Sequence, residues 1–308
     1  MHQTDERHWH NHQGHCIDQV GSFTVIACET CQFKHVIPLP SDEELTRIYQ
    51  HEYYSQEKPL YLERYQEDLP WWNGVYQERY EQFEQQLPVG CRRILDVGSG
   101  PGYFLLLGKQ RGWDAVGIEP SQRAAEHSRN LGLTIIEQFL TASLAETLGK
   151  FDVINLGEVL EHIPHPDALL KTIASLLVPG GLICVIVPND YNPFQMAVAK
   201  TTTLPRWWIA PPHHLNYFNF DSLSALLARH GLNELSRQAT FPIDIFLLMG
   251  DHYIGDDTLG RSCHRRRMQL EKSLDKAGSN VLKQKLYQSF AALDIGREVQ
   301  IIAQKPLH

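Results

Sequence analysis

Three glycines at alternate positions after an acid, in Ile94-Leu95-Asp96-Val97-Gly98-Ser99-Gly100-Pro101-Gly102-Tyr103, constrain this chain more than any other stretch. The apolar residues around Asp96 read as a buried strand, and residues 104–107 resume an apolar run with helical character. Strand, tight glycine turn and helix N-terminus form the unit on which an α/β protein holds a nucleotide-like ligand, because the turn brings backbone N–H groups up to it. Two details narrow the ligand. The dinucleotide fingerprint needs a third glycine, for close strand–helix packing, where this chain has the bulky Tyr103. Asp96 would repel a phosphate and attract a ligand carrying ammonium and sulfonium charges. A nicotinamide-dependent oxidoreductase on a similar sheet is therefore the disfavoured alternative.

Strand and helix alternate from residue 93 onward. A helix over 104–111 stops at Gly112, and a short strand over 115–118 delivers Glu119 at its carboxyl end. Ser121 starts a helix that ends at Gly132, residues 133–137 read as a third strand, and 151–156 as a fourth. Pro166 suits the first turn of a helix running to Leu177, and Pro179-Gly180-Gly181 turns into 182–187, a fifth strand apolar at every position and so buried on both faces. A carboxylate at Glu119 can accept hydrogen bonds from both hydroxyls of a ribose; the alternative is a solvated surface acid.

The DxGxGxG spacing followed by Glu119, the run Phe151-Asp152-Val153-Ile154 leading into Val159-Leu160-Glu161-His162-Ile163-Pro164, and the turn Leu177-Val178-Pro179-Gly180-Gly181 resemble the class I S-adenosylmethionine-dependent methyltransferases. The resemblance covers residues 93–188 without a gap. It implies an α/β fold: a Rossmann-like, doubly wound sheet of seven strands whose seventh strand is antiparallel. It further implies a cofactor site of Asp96, Gly98, Ser99, Gly100, Gly102, Tyr103 and Phe104 on the loop, with Glu119 and Pro120 at the ribose and Gln138 and Phe139 at the adenine. Leu156, Gly157, Glu158 and His162 would line the methionine side. Gln138 and Phe139 stand equally as structural residues, and the pair Glu161-His162 stands either as a base or as a buttress of the cofactor loop.

Composition bounds the rest. The chain has 308 residues and a formal charge of −8, with Arg265-Arg266-Arg267 its one basic run, so no broad basic surface for nucleic acid is expected. No apolar run approaches the roughly 18 residues of a membrane span, and the polar start lacks the apolar core of a signal peptide, which predicts a cytoplasmic protein. Six cysteines without disulfide-framework spacing suit a reducing compartment.

Three regions follow: a zinc-ribbon-like segment over 1–40, a helical lid or linker over 41–90, and the sheet domain over 91–308 with insertions at about 189–220 and 241–297. Cys28-Glu29-Thr30-Cys31 is a knuckle about a dozen residues after Cys16, and Gln13 stands where a second upstream cysteine would complete a ribbon. The expected zinc ligands are Cys16, Cys28, Cys31 and His12, with His15 as a substitute; the alternative is buried, apolar-like thiols. Ser41 and Glu44 form a capping box for a helix to about His51. Trp71, Trp72, Val75, Tyr76, Tyr80, Phe83 and Leu87 recur at helical spacing, as a core face or as a lid over the cofactor.

Beyond the fifth strand the pattern breaks into loops rich in proline and aromatic residues, where α/β enzymes carry binding groups. The stretch His214-Leu215-Asn216-Tyr217-Phe218 resembles the HxxxF segment of the methyltransferase subfamily with an N-terminal cysteine knuckle, which extends the resemblance over residues 28–238. His214, and His213 beside it, are the candidate bases for removing an acceptor's proton; fixing this loop is the alternative. Trp207, Trp208 and Tyr217 either wall an acceptor pocket or pack on the N-terminal helices. Asp221 is expected to cap a helix to Gly231, residues 232–238 to form strand six and 299–303 strand seven. Residues 258–292 read as helical, with Arg265, Arg266 and Arg267 solvated or, less favoured, facing an anionic acceptor. The implied activity is methyl transfer from S-adenosylmethionine to a small or medium-sized acceptor such as a sugar, a quinone or a natural-product intermediate; a methyltransferase-like module that binds cofactor without turnover is the third reading.

Overall fold

The computed structural model describes residues 6–9, 11–57 and 60–307; residues 1–5 and His10 of the N-terminal segment lie outside the described residues. Four short strands come first: β1 (Glu6–Trp9), β2 (His12–Val20), β3 (Phe23–Cys28) and β4 (Lys34–Ile37). Helix α1 (Asp42–Arg47) continues as a π-helical stretch, Ile48–Glu57, and is followed by α2 (Tyr61–Glu67) and α3 (Leu69–Gln86). The alternating part runs β5 (Arg93–Val97), α4 (Tyr103–Gln110), β6 (Asp114–Ile118), α5 (Gln122–Asn130), β7 (Thr134–Ile136), α6 (Ala142–Leu148), β8 (Phe151–Gly157), α7 (Pro166–Leu176) and β9 (Leu177–Pro188). Then come α8 (Pro193–Thr201), β10 (Asn216–Tyr217), α9 (Phe220–Arg229), β11 (Asn233–Ala239), α10 (Ile245–Leu248), α11 (Asp257–Lys276), α12 (Asn280–Ala292) and β12 (Glu298–Gln304).

The large sheet has seven strands in the order β11-β12-β9-β8-β5-β6-β7. Strands β9, β8, β5, β6 and β7 are parallel, and β12 lies antiparallel between β9 and β11. The expected doubly wound sheet with an antiparallel seventh strand is the fold observed. Its order reverses at β5, so the carboxyl ends of β5 and β8 open a crevice between connections that leave in opposite directions. Both faces are covered, which is why β9 is buried from Leu182 to Pro188. One face packs against Leu170 and Ile173 of α7 and Leu223 and Leu227 of α9, the other against Tyr80 and Phe83 of α3 and Leu105 of α4.

Several local expectations are corrected. Ser41 caps α1 by accepting from the Glu44 N–H, but the α-helix ends at Arg47 before the π-helical stretch. Asn219, and not Asp221, caps α9, because its side chain and that of Ser222 bond each other's backbone reciprocally. Gly278, at φ +65°, divides the expected long helix into α11 and α12. The arginine run is not a uniform solvated face: Arg265 is exposed, Arg266 pairs with Asp251 over the Phe246 ring, and Arg267 is buried.

The small sheet has the order β1-β2-β3-β4-β10, so its last strand comes from the loop after α8. Asn216 sits opposite His35, and Trp208, Leu215 and Tyr217 pack with Val25, Val36 and Leu45. Of the two expectations for these aromatic residues, packing on the N-terminal region is the observed one, although the partner is a sheet with α1 and not helices alone.

Candidate active site

A cleft of about 940 Å³ lies over the carboxyl ends of β5, β6 and β8. The glycine turn forms its floor. Gly98 adopts φ +74°, and a Cβ there would come within 2.7 Å of Val159 Cγ2, so a side chain at this position would be strained and would push the Val159 side chain aside. The Gly98 and Ser99 N–H groups both bond the Ile118 carbonyl, which ties the turn to β6.

Of the residues expected to hold cofactor, Asp96, Gly98, Ser99, Gly100, Tyr103, Phe104, Glu119, Pro120, Gln138, Phe139, Gly157, Glu158 and His162 all line this cleft. Two do not. Leu156 is fully buried in the core on the far side of its strand, because side chains alternate along β8. Gly102 faces α5: at φ +78° its Cβ would meet Ser128 Oγ at 2.6 Å and Leu133 Cδ1 at 2.7 Å, so it serves the packing of the turn and not the cleft wall.

Two buried carboxyls dominate the electrostatics. Asp96 is 4% exposed and accepts from Asn155 Nδ2 at 2.6 Å. Burial pushes it up to about 7, against the opposing pull of Asn155 and the Arg79 guanidinium. Glu119, likewise 4% exposed, accepts from the Ser121 and Gly100 N–H groups at 2.8 Å each, and burial still lifts it to about 7. Near neutral pH each is part-protonated, and a cation or further donors would draw it toward its anion. Glu158 stands at φ +55°, a conformation unusual for a side-chain-bearing residue, fixed by its N–H bond to the Ile186 carbonyl.

The histidines form a second tier. His162 Nδ1 lies 2.8 Å from the His213 carbonyl, which can only accept, and 3.0 Å from Tyr49 Oη, so the ring is held by both. Tyr49 Oη donates to the same carbonyl at 3.1 Å. Glu161 Oε1 is 3.6 Å from His162 Nε2, and burial holds this fully enclosed carboxyl well above the usual carboxylate range. His214 packs edge-on against His162, with centroids 5.1 Å apart, and its Nδ1 is 3.8 Å from Asp190 Oδ2. Neither His213 nor His214 lines the cleft; His214 packs on the lining residue His162, and His213 on the lining residues Tyr49 and Tyr53.

The cleft wall also includes Arg79 of α3, His264 of α11, and Arg297 and Glu298 at the start of β12, none of them singled out from sequence, and Arg267 of α11, for which an anionic acceptor is the less favoured expectation. Trp71, Trp72 and Tyr76 line it as well, so the aromatic face of α3 is both core and wall. The only sequence signal for Arg79 was its place on that amphipathic helix.

Away from the cleft, His12, Cys28, Cys31 and His35 converge, their ligand atoms within 4.8 Å of one another. Cys16 does not join them. It lies further along β2 than His12, opposite Ile26 in the middle of β3 and away from the Cys28 end, and its thiol turns to the Asp18 carbonyl at 3.8 Å. His35 takes its place, with Nδ1 committed to the Val36 carbonyl at 2.9 Å and Nε2 turned to the cluster, 3.1 Å from His12 Nδ1. The Cys31 N–H donates to Cys28 Sγ at 3.3 Å. Burial opposes ionisation of Cys28, yet hydrogen bonds from His35 and the Cys31 N–H bring it down to about 6, while burial and the neighbouring Cys28 push Cys31 up to about 12. Two thiols and two imidazoles at this spacing fit tetrahedral zinc.

Residues 60–236 match the methyltransferase domain family. Among curated proteins, a ubiquinone biosynthesis O-methyltransferase of Cereibacter sphaeroides is 33% identical over 159 residues, covering 49% of this chain and 64% of the relative. One from a Caulobacter species is 34% identical over 151 residues, covering 46% and 59%. The chain thus spans less than two thirds of the length of these relatives. Among solved structures, the plantazolicin methyltransferase BpumL in complex with S-adenosylhomocysteine has the same fold, with a TM-score of 0.51 at 14% identity over 85% of this chain and 94% of that one. No helix among the described residues is long and apolar enough to cross a membrane.

Proposed function

Because this chain belongs to the methyltransferase domain family, we propose that its cleft binds S-adenosylmethionine and moves the sulfonium methyl to a small or medium-sized acceptor. The observation that carries this reading is the pair of buried carboxyls, Asp96 and Glu119, flanking a glycine turn: a site that repels phosphate and rewards a cation with donors. Asp96 and Glu158 take the ammonium end, Glu119 the ribose hydroxyls, and Gln138 and Phe139 the adenine. The Arg79 guanidinium, stacked over Tyr76 and Phe104, suits the cofactor carboxylate.

Methyl transfer is an in-line displacement: the acceptor's lone pair forms a bond to the methyl carbon as the carbon–sulfur bond breaks, and neutral S-adenosylhomocysteine leaves. The protein supplies alignment and a place for the acceptor's proton. That place is the His162 imidazole at the cleft wall, its ring held by the His213 carbonyl and Tyr49 and backed by His214. The sequence-level candidates His213 and His214 are positioning residues in this account. The names of the relatives favour transfer to oxygen, and a hydroxylated quinone precursor, sugar or natural-product intermediate suits the cleft's size.

The same reading gives His12, Cys28, Cys31 and His35 one structural zinc ion, which fixes β2, β3 and β4 and, through the pairing of His35 with Asn216, the loop that carries His213. The protein acts in the cytoplasm, and nucleic acid is not its acceptor. Calorimetric titration with S-adenosylmethionine, S-adenosylhomocysteine and NAD tests the cofactor: saturable 1:1 binding of the first two and none of the third is expected. Binding of NAD alone would replace this reading with a dehydrogenase.

A further inference from the structure

From the structure we infer that Arg267, supplied by the insertion between β11 and β12, is the recognition point for an anionic group, a carboxylate or a phosphate, on the methyl acceptor. The inference rests on the methyl-transfer reading of the same cleft and adds the acceptor's class.

Arg267 is 8% exposed, and what it shows faces the cleft. Its guanidinium lies over the Trp71 ring, 4.8 Å from the centroid, and only Nε is committed, to Glu271 Oε1 at 3.3 Å. Glu271 is itself held by Trp71 Nε1 and Tyr287 Oη, each at 2.6 Å. The carboxylate therefore acts as a fixed clamp for the arginine and cannot follow it outward. Neither terminal nitrogen of Arg267 has a hydrogen-bond partner among the described residues, and neither is among the buried polar atoms left without one, so both remain open to the cleft. A planar fork held by stacking and by one hydrogen bond, with its outer edge available, matches the two oxygens of a carboxylate or phosphate.

The path back to the reaction centre is aromatic. Trp71 contacts Trp72 at 4.6 Å, Trp72 stacks on Tyr76 at 5.7 Å, and Tyr76 meets Phe104, beside the glycine turn, at 5.3 Å. An acceptor spanning this wall would present its nucleophile to the sulfonium and its anion to Arg267. Two carboxyls compete for the guanidinium. One is Glu271, its ion-pair partner through Nε at 3.3 Å, whose charge is shared with Trp71 Nε1 and Tyr287 Oη. The other is Glu298, beyond ion-pair distance, whose carboxyl burial and Glu158 raise while Arg267 pulls it down. Neither engages the terminal nitrogens, which are left for the acceptor's anion. Arg267 falls outside the residues that match the family, 60–236, which makes acceptor recognition a property of this chain's own insertion.

The test uses the full-length protein saturated with S-adenosylhomocysteine, whose own affinity, read first, reports on the methyl-transfer reading independently. Binding of 4-hydroxybenzoate, phenyl phosphate and the uncharged 4-hydroxybenzyl alcohol is then followed by the quenching of tryptophan fluorescence and by calorimetry. The charged probes should bind roughly ten- to a hundredfold tighter than the alcohol, and Arg267→Met should abolish that preference while leaving S-adenosylhomocysteine affinity unchanged. Preference for the benzoate or for the phosphate identifies the anion. Arg267→Lys, which keeps charge and stem, should retain a reduced preference. Equal binding of charged and uncharged probes by the wild type, binding of none of them, or an undiminished preference in Arg267→Met overturns the inference.

Discussion

Lowering the pH from 8 to 6 should weaken S-adenosylmethionine binding by about a hundredfold, and the size of the effect follows from two side chains. Asp96 and Glu119 each stand near 7 in the free protein because burial opposes their charge. A carboxyl with that value is about 90% ionised at pH 8 and about 10% at pH 6, so a ligand that requires it as an anion loses roughly tenfold in affinity per group. Two groups acting together give about a hundredfold, or roughly 2.7 kcal/mol. The stability of the free protein moves the other way. Both carboxyls bind protons more tightly folded than unfolded, so the stability they confer is present below about pH 4 and is lost as pH rises through 7. Cofactor binding offsets that loss, and the rise in Tm on adding cofactor should be larger at pH 8 than at pH 6. Glu119→Gln removes one titrating group and should cut the pH dependence to about tenfold. The assay is calorimetry at constant ionic strength. Affinity that is flat between pH 6 and 8 would refute the assignment of these carboxyls to the cofactor.

Three further outcomes are expected. His162→Ala should keep cofactor affinity and lose turnover by roughly 10² to 10⁴-fold, whereas His214→Ala, one ring removed, should lose less and shift the pH profile; equal losses in both would contradict the two-tier arrangement. Metal analysis of purified protein should find one zinc per chain, absent in Cys28→Ser and His35→Ala and retained in Cys16→Ser; zinc lost from the Cys16 variant would restore the ligand set expected from the sequence. Gly102→Ala forces a side chain into a positive-φ site against Ser128 and Leu133 and should cost about 2–5 kcal/mol in denaturant unfolding; a loss below about 0.5 kcal/mol would show that the turn relaxes.

The large sheet was legible because its signals are local. Glycine turns, apolar runs such as residues 182–187 and the acid at 119 each determine their own conformation, and the family pattern orders them. What escaped was long-range. Nothing in the sequence around Asn216 says that it pairs with His35, so Trp208 and Tyr217 were left between two roles that only the small sheet decides. Spacing along the chain points to Cys16 and gives no sign of His35, because ligand geometry is set across strands: His12 at the start of β2 meets His35, while Cys16 further along the same strand does not. For Arg267 the sequence favours a solvated face over an anionic acceptor, and only Trp71 and Glu271, 200 positions apart, decide it by closing around the guanidinium. Leu156 lies apart from the other expected residues for a simpler reason: alternation along β8 sends its side chain to the core while Asn155 and Gly157 reach the cleft.

The most direct test of the account is incubation of the purified protein with S-adenosylmethionine labelled in its methyl group and a small-molecule extract of cells. The account predicts S-adenosylhomocysteine formed in step with label in an anionic small molecule, both abolished in Asp96→Asn. Cofactor that binds without forming S-adenosylhomocysteine, or label appearing only in nucleic acid, would contradict it.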